Sequence, residues 1–197
     1  MKIYNTTILL ILLSFTQAEA QNKLVKDIDF DGKNDTVYID VKASVIVCRL
    51  SSRQYKPLKS QPIEILNQQS GVSATKNGFE FQNHWMRAGY HNQFRYDKKT
   101  KQVQLIGMSR YEFGPANNNG SGESSVNLLN GDYIGDWNYY DNLANNEKGE
   151  LVKIPTIKTK MWFNKVYLKD FSDKVYFGFS KRCSELYYKH KAFMESK

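Results

Sequence analysis

From Thr36 onward the chain alternates short apolar runs with turn residues, and that alternation predicts strands. Residues 36–41 (TVYIDV) and 43–50 (ASVIVCRL) carry β-branched and aromatic side chains in runs of strand length. Residues 62–66 predict a shorter strand. Residues 73–75 and 79–81 flank Asn77-Gly78, the dipeptide that most strongly favours a tight hairpin. Residues 93–96 and 102–108 flank DKKTK, which predicts a second hairpin with a longer turn. Residues 153–160, 166–168 and 175–179 predict the last strands.

Two polar stretches, residues 114–122 (GPANNNGSG) and 138–149, have no period and read as loops. Only the tail is helical in pattern. Within residues 181–197, Cys183, Leu186, Tyr187, His190 and Met194 recur at three- and four-residue steps, with Ser180 placed as an N-cap. The whole pattern predicts an all-β single domain, either a degenerate β-propeller-like fold or a β-sandwich, with a short C-terminal helix.

The N-terminus follows a different rule. Lys2 precedes an apolar run over residues 6–15, and Ala18-Glu19-Ala20 has the small-x-small form of a cleavage site. These features predict a signal peptide over residues 1–20, a single domain over residues 21–197, and a periplasmic or secreted protein. The run is well short of the ~20 apolar residues that span a bilayer, so no membrane span is expected. With only 4 Pro and no Pro/Ser-rich linker, nothing divides the mature part.

Charge narrows the partners. The formal net charge is +8, and Lys2 and Glu19 cancel within the leader, so the mature part keeps it. A basic surface favours acidic proteins, anionic glycans or lipid head groups. Nucleic acid is a poor candidate for an exported chain whose basic residues are scattered. Export also bears on the 2 cysteines, Cys48 and Cys183, which an oxidising compartment would join in a disulfide. Closing so long a loop would be worth about 5 kcal/mol in the loop-entropy account. The alternative is two buried free thiols.

The densest chemistry lies in DIDFDGKND, residues 27–35. Asp27, Asp29, Asp31 and Asp35 occupy the first, third, fifth and ninth places of a calcium loop. Gly32 takes the sixth place and permits a left-handed turn, and the Lys33 carbonyl would supply the seventh-place ligand. Calcium takes roughly six to eight oxygens, which alternate residues of a tightly curled loop can aim at one centre. Tyr38 stands where a helix–loop–helix calcium hand has its bidentate Glu, and a strand follows. The expectation is therefore a structural calcium site and not a sensor.

Catalytic signatures are missing. His84, His91 and His190 have no metal-ligand spacing, and no nucleophile motif occurs. Glu80 and Glu112 form an acid pair only if the fold brings them together. The chain does not read as an enzyme. Residues 133–140 (YIGDWNYY) mix aromatics with Asn and Asp, a composition that suits either a contact surface or strand packing.

The Asp-rich loop running into a strand resembles the repeat loops of integrin-type propeller blades. Taken with Phe94-Arg95-Tyr96, QLIG at residues 104–107 and SSVNLLNG at residues 124–131, it is similar to a family of small bacterial periplasmic proteins. Some of these are immunity proteins against peptidoglycan-cleaving effectors. The resemblance implies a propeller-like β fold, a bound calcium, and inhibition of a lysozyme-like enzyme by a protruding loop. An effector bound by so basic a chain would present an acidic face or an acidic cleft. Residues 115–122 are the candidate loop, with Asn117, Asn118 and Asn119 as amide donors and acceptors. Arg110 would pair with a catalytic carboxylate, and Tyr133 and Trp137 would form an aromatic flank.

Overall fold

The computed structural model describes residues 23–196, so the expected signal peptide lies outside them. Strands β1 (Lys23–Lys26), β2 (Asp35–Asp40), β3 (Val45–Arg49) and β4 (Pro57–Lys59) form a four-stranded antiparallel sheet in chain order. A wider antiparallel sheet runs through β5 (Gly71–Thr75), β6 (Gly78–His84), β7 (Ala88–Asp97), β8 (Gln102–Glu112), β9 (Gly122–Asn127), β10 (Asp132–Asp141) and β11 (Glu150–Lys153), each beside the next. Strand β12 (Ile157–Lys160) pairs with the first half of β10. The wide sheet is continuous and is not divided into four-stranded blades. The Lys26 ammonium joins the two sheets by donating to the Thr75 carbonyl at the end of β5.

Both predicted hairpins form. Thr75 pairs with Gly78 across the Asn77-Gly78 turn, and Asp97 pairs with Gln102 across the longer one. Adding a Cβ at Gly78 would bring it 2.1 Å from the Phe94 carbonyl oxygen, so the close approach of β7 requires glycine there. A register shift between Gln93 and Phe94 bends the β7–β8 ladder.

Successive strand residues face opposite sides, which sorts the wide sheet into two faces. Phe79, Phe81, Tyr90, Phe94, Met108, Val126, Tyr133, Trp137 and Tyr139 are buried on one face. Glu80, His84, His91, Ser109, Tyr111 and Ser125 alternate with them on the other, only partly covered. The buried face packs beneath the C-terminal helix, with Phe171 edge-on to Phe94 at 5.1 Å and Tyr176 stacked on Tyr90 at 3.7 Å. One core runs through both sheets and the helix.

The ends of the chain depart from the sequence reading. The helix α2 covers Asp173–Glu195, after a single turn, α1, at Ala144–Glu147, in which Asn145, Asn146 and Glu147 are left-handed. It therefore absorbs residues 175–179, read above as a strand, and its N-cap is Ser172 and not Ser180. Tyr176, Phe179, Cys183 and Tyr187 are its buried stripe, at steps of three and four. Asp173 in the first turn is buried, and its carboxylate accepts the Glu64 N–H at 2.8 Å. That bond, with Ile63 N–H donating to the Ser44 carbonyl at 2.8 Å, anchors the middle of residues 62–66, which form no strand. No helix among the described residues is long and apolar enough to cross a membrane.

The expected disulfide is not present. Cys48 in β3 and Cys183 in α2 are both buried and both unbonded. Cys48 lies in the four-stranded sheet near Asp35 and Asp29, whereas Cys183 sits behind β9 and accepts the Ser124 hydroxyl at 3.4 Å. Each thiol fills a separate part of the core as a small apolar group.

Candidate functional site

The loop between β1 and β2 is curled by its own carboxylates. Asp27 accepts the backbone N–H groups of Phe30 at 2.7 Å, Asp31 at 3.2 Å and Gly32 at 2.9 Å. This curl places Phe30 and Gly32 at positive φ, 62° and 86°. Asp35 opens β2 and is fully buried. One of its oxygens takes the Ile28 N–H at 2.7 Å and the Asp29 N–H at 3.2 Å, and the other takes the Ser51 N–H at 2.7 Å.

Asp29 is 4% exposed. Its Oδ2 accepts the Ser52 hydroxyl, while its Oδ1 is buried with no partner among the described residues. Asp27, Asp29 and Asp35 each present an oxygen within 4.8 Å of the others. Three carboxylates so close repel one another, and a buried lone acceptor is costly to leave unmatched. Each carboxylate offers about four lone-pair sites, so the backbone bonds leave capacity on every member. The set suits a hard cation that takes oxygen ligands.

Asp31 and Lys33 stand apart from this triad. Asp31 is exposed, and its carboxylate accepts the Ser51 hydroxyl at 2.6 Å and the Lys33 N–H at 2.9 Å. The Ser51 hydroxyl first, and then that amide, hold the Asp31 carboxyl below its ordinary range. Ser51 and Ser52 were not singled out from the sequence. The signal for them is register: once Thr36 pairs with Arg49, the residues after β3 must fall beside Asp35.

Residues 114–121 lie at the other candidate site and are held in place from outside. Arg87, in the turn between β6 and β7, donates to the carbonyls of Phe113, Gly114 and Pro115. Asn118 at φ 57° donates its N–H to the Pro115 carbonyl at 2.8 Å, and Asn117 Oδ1 takes the Asn119 N–H at 3.2 Å. Asn117 and Asn118 are exposed at the tip. Asn119 turns inward, where its Oδ1 accepts the Tyr140 N–H at 2.9 Å.

The other three residues expected at that contact surface lie inside the protein. Tyr133 and Trp137 are 1% and 2% exposed, so they form no surface flank. Arg110 is 8% exposed, with its guanidinium 5.2 Å from the Trp137 ring centre and ion-paired to Glu112. Period two explains all three, since β8 and β10 turn these positions toward α2.

Glu80 and Glu112 do not form an acid pair: Glu80 bonds to His91 on the open face of the sheet, and Glu112 pairs with Arg110 on the face beneath the helix. Glu80 accepts from His91 Nδ1 at 2.8 Å, and that bond, its first cause, holds the carboxyl below its ordinary range against the effect of burial. His84 bonds to the Tyr111 hydroxyl at 3.0 Å, with its ring 5.1 Å from that of His91. The chain matches no protein family, no curated protein and no solved structure.

Proposed function

We propose that this chain is an exported binding protein, its N-terminal loop locked by calcium, that inhibits a peptidoglycan-cleaving hydrolase in the manner of an immunity protein. The observation that carries this reading is the asparagine loop. Its backbone is fixed by Arg87 and by its own turns, while Asn117 and Asn118 project into solvent. A polar loop ordered before contact binds at less entropic cost than one that must freeze on binding. Its amides suit the sugar-binding groups and carboxylates of a glycosidase cleft, and the +8 charge favours such an acidic partner.

The calcium part rests on the Asp27, Asp29 and Asp35 triad and on the unmatched Asp29 Oδ1. The resemblance to integrin-type loops agrees with it. Asp31 and the Lys33 carbonyl would join the ligand set only if the exposed limb of the loop closes onto the ion. The open polar face of the wide sheet favours a second reading, an envelope-associated domain that holds a glycan or partner and inhibits nothing.

The test is peptidoglycan hydrolysis by lysozyme-like hydrolases, any encoded beside this gene first among them, with and without an equimolar amount of the protein. Inhibition is expected, and Asn118→Gly, which keeps the positive φ but removes the amide, should weaken it at least tenfold. Hydrolysis at an unchanged rate removes the inhibitor reading and leaves the envelope-associated one.

A further inference from the structure

Trp162 lies just beyond β12 and is 59% exposed, whereas Trp137 is buried and Trp85 is half-buried. Its exposure is one-sided. A Cβ added at Gly131 would fall 2.9 Å from Trp162 Cδ2 and Cε2, the two atoms that the indole rings share. The middle of one indole face therefore rests on the Gly131 backbone. With 59% of the residue still accessible, the opposite face is open. We propose that this open face of Trp162 is a stacking platform for one sugar ring of a neutral, gluco-configured glycan chain. The proposal gives the envelope-associated reading a site and rests on that reading for its class of ligand; it does not depend on the inhibitor reading.

The platform is fixed before any ligand arrives. Arg182 donates to the Trp162 carbonyl at 2.6 Å, and the Met161 N–H donates to the Gly131 carbonyl at 2.7 Å. The turn beneath the ring is tied as well, by the Gly131 N–H on the Asn127 carbonyl at 2.8 Å and the Asp132 N–H on Asn130 Oδ1 at 3.0 Å. A ring already held in place loses little entropy on contact. The face of an aromatic ring is its negative side and attracts weakly positive C–H bonds. A gluco-configured pyranose carries its hydroxyls around the edge and presents axial C–H bonds on its flat faces, so it matches such a platform.

The rim chooses a neutral ligand. The Asp132 carboxylate accepts the Asn130 amide at 2.6 Å and the Lys160 ammonium at 2.5 Å, and that ammonium also donates to the Asn130 carbonyl at 3.1 Å. The two charges already balance each other, so an ionic ligand gains no free counter-charge. A carboxylate has about four lone-pair positions and an ammonium three donors, so both keep capacity for sugar hydroxyls, which donate and accept. The same turn also carries Leu129, 47% exposed, into the wall of a hollow of about 220 Å³. Gly107, Ser109 and Ser125 keep that hollow clear of large side chains, and Gln93 and Asn127 supply amides along it. The hollow lies on the open face of the wide sheet and accommodates the units that follow the stacked ring.

The experiment is a titration of the ¹⁵N-labelled full chain with chitotetraose, following the indole N–H resonances of the 3 tryptophans. A saturable shift of the Trp162 signal is expected while that of Trp137 stays in place. Trp162→Ala should weaken binding about tenfold or more, as removal of an aromatic anchor does. Its melting temperature should move by less than about 2 °C, as for an exposed side chain. Trp162→Phe should restore part of the affinity, and trigalacturonate, a charged chain, should bind at least fivefold more weakly than chitotetraose. The proposal is overturned if chitotetraose leaves the Trp162 signal unmoved, or if Trp162→Ala binds it as tightly as the parent. A Trp162 shift produced by a lysozyme-like hydrolase and not by chitotetraose would overturn it too, and would assign the platform to a protein partner. Co-sedimentation with insoluble peptidoglycan separates the site from the reading it rests on. Retention of both parent and Trp162→Ala overturns this site and leaves the envelope-associated reading standing, whereas a parent that neither sediments nor shifts removes both.

Discussion

Arg87 Nε donates to the Gly114 carbonyl at 2.5 Å, across the gap between the β6–β7 turn and the end of β8. The same guanidinium reaches the Phe113 and Pro115 carbonyls, each at 3.2 Å. One side chain thus closes the base of the asparagine loop. Arg87→Ala should leave the sheet intact and cost about 1 kcal/mol, because these bonds are exposed to water. Its larger effect is local. Amide exchange at Asn118 and Ser121, both bonded within the turn, should quicken more than tenfold while exchange in β7 and β8 stays slow. Equal protection of the loop in both proteins would show that the turn holds itself.

Calcium should raise the melting temperature, and removing one charge from the triad should change the sign of the metal-free comparison. A cation at a hundred times its dissociation constant adds about 2.7 kcal/mol, which is several degrees for a domain of this size. In Asp29→Asn the buried repulsion falls. That variant should match or exceed the parent in chelator, and respond to calcium far less. Coincident melting curves of the parent with calcium and with chelator would remove the metal site.

How much of this was legible depends on the range of the interaction. The hairpin at Asn77-Gly78 is a local event, and its signal is local. The triad lies within nine residues, so its spacing is readable, but the Ser52 hydroxyl that Asp29 Oδ2 accepts comes from the turn after β3, 23 residues away. The start of α2 is obscured because Val175, Tyr176 and Phe179 are residues that strands favour, and the helix is chosen by packing against Tyr90. Asp173 bonding to Glu64 has no local trace at all. Burial of Tyr133 and Trp137 was readable from alternation with Ile134 and Asp136. Burial of Arg110 was not, since a long charged side chain is ordinarily exposed.

The cysteines should behave as inert free thiols. Burial, with Asp35 and Asp29 adding to it, pushes the Cys48 thiol far up, and burial pushes Cys183 up as well. Thiolate is the reactive form, so both should resist alkylation in the folded protein near pH 8. Unfolding in denaturant without reductant should expose two reactive groups, read as two added alkyl masses. Addition only after reduction would restore the disulfide.

Acidification should destabilise the fold in two separable steps on the open face of the wide sheet. Burial first, and then the neighbouring His91, hold His84 below its ordinary 6.5. The unfolded chain therefore binds this proton more readily, and stability is lost as pH falls through that range. Glu80 is held below its ordinary 4.5 by His91, so its contribution is present above that value and is lost at lower pH, through its folded value. Melting temperature measured from pH 7.5 to 3 should fall first as pH drops below the ordinary histidine value of 6.5 and again below about pH 4.5. Replacing His84 with Gln should flatten the upper step alone. Glu80→Gln should reduce the lower step, to which Asp31 and Asp97 also contribute, and leave His91 without its acceptor. A profile in which His84→Gln keeps the full upper step would assign that step to another group.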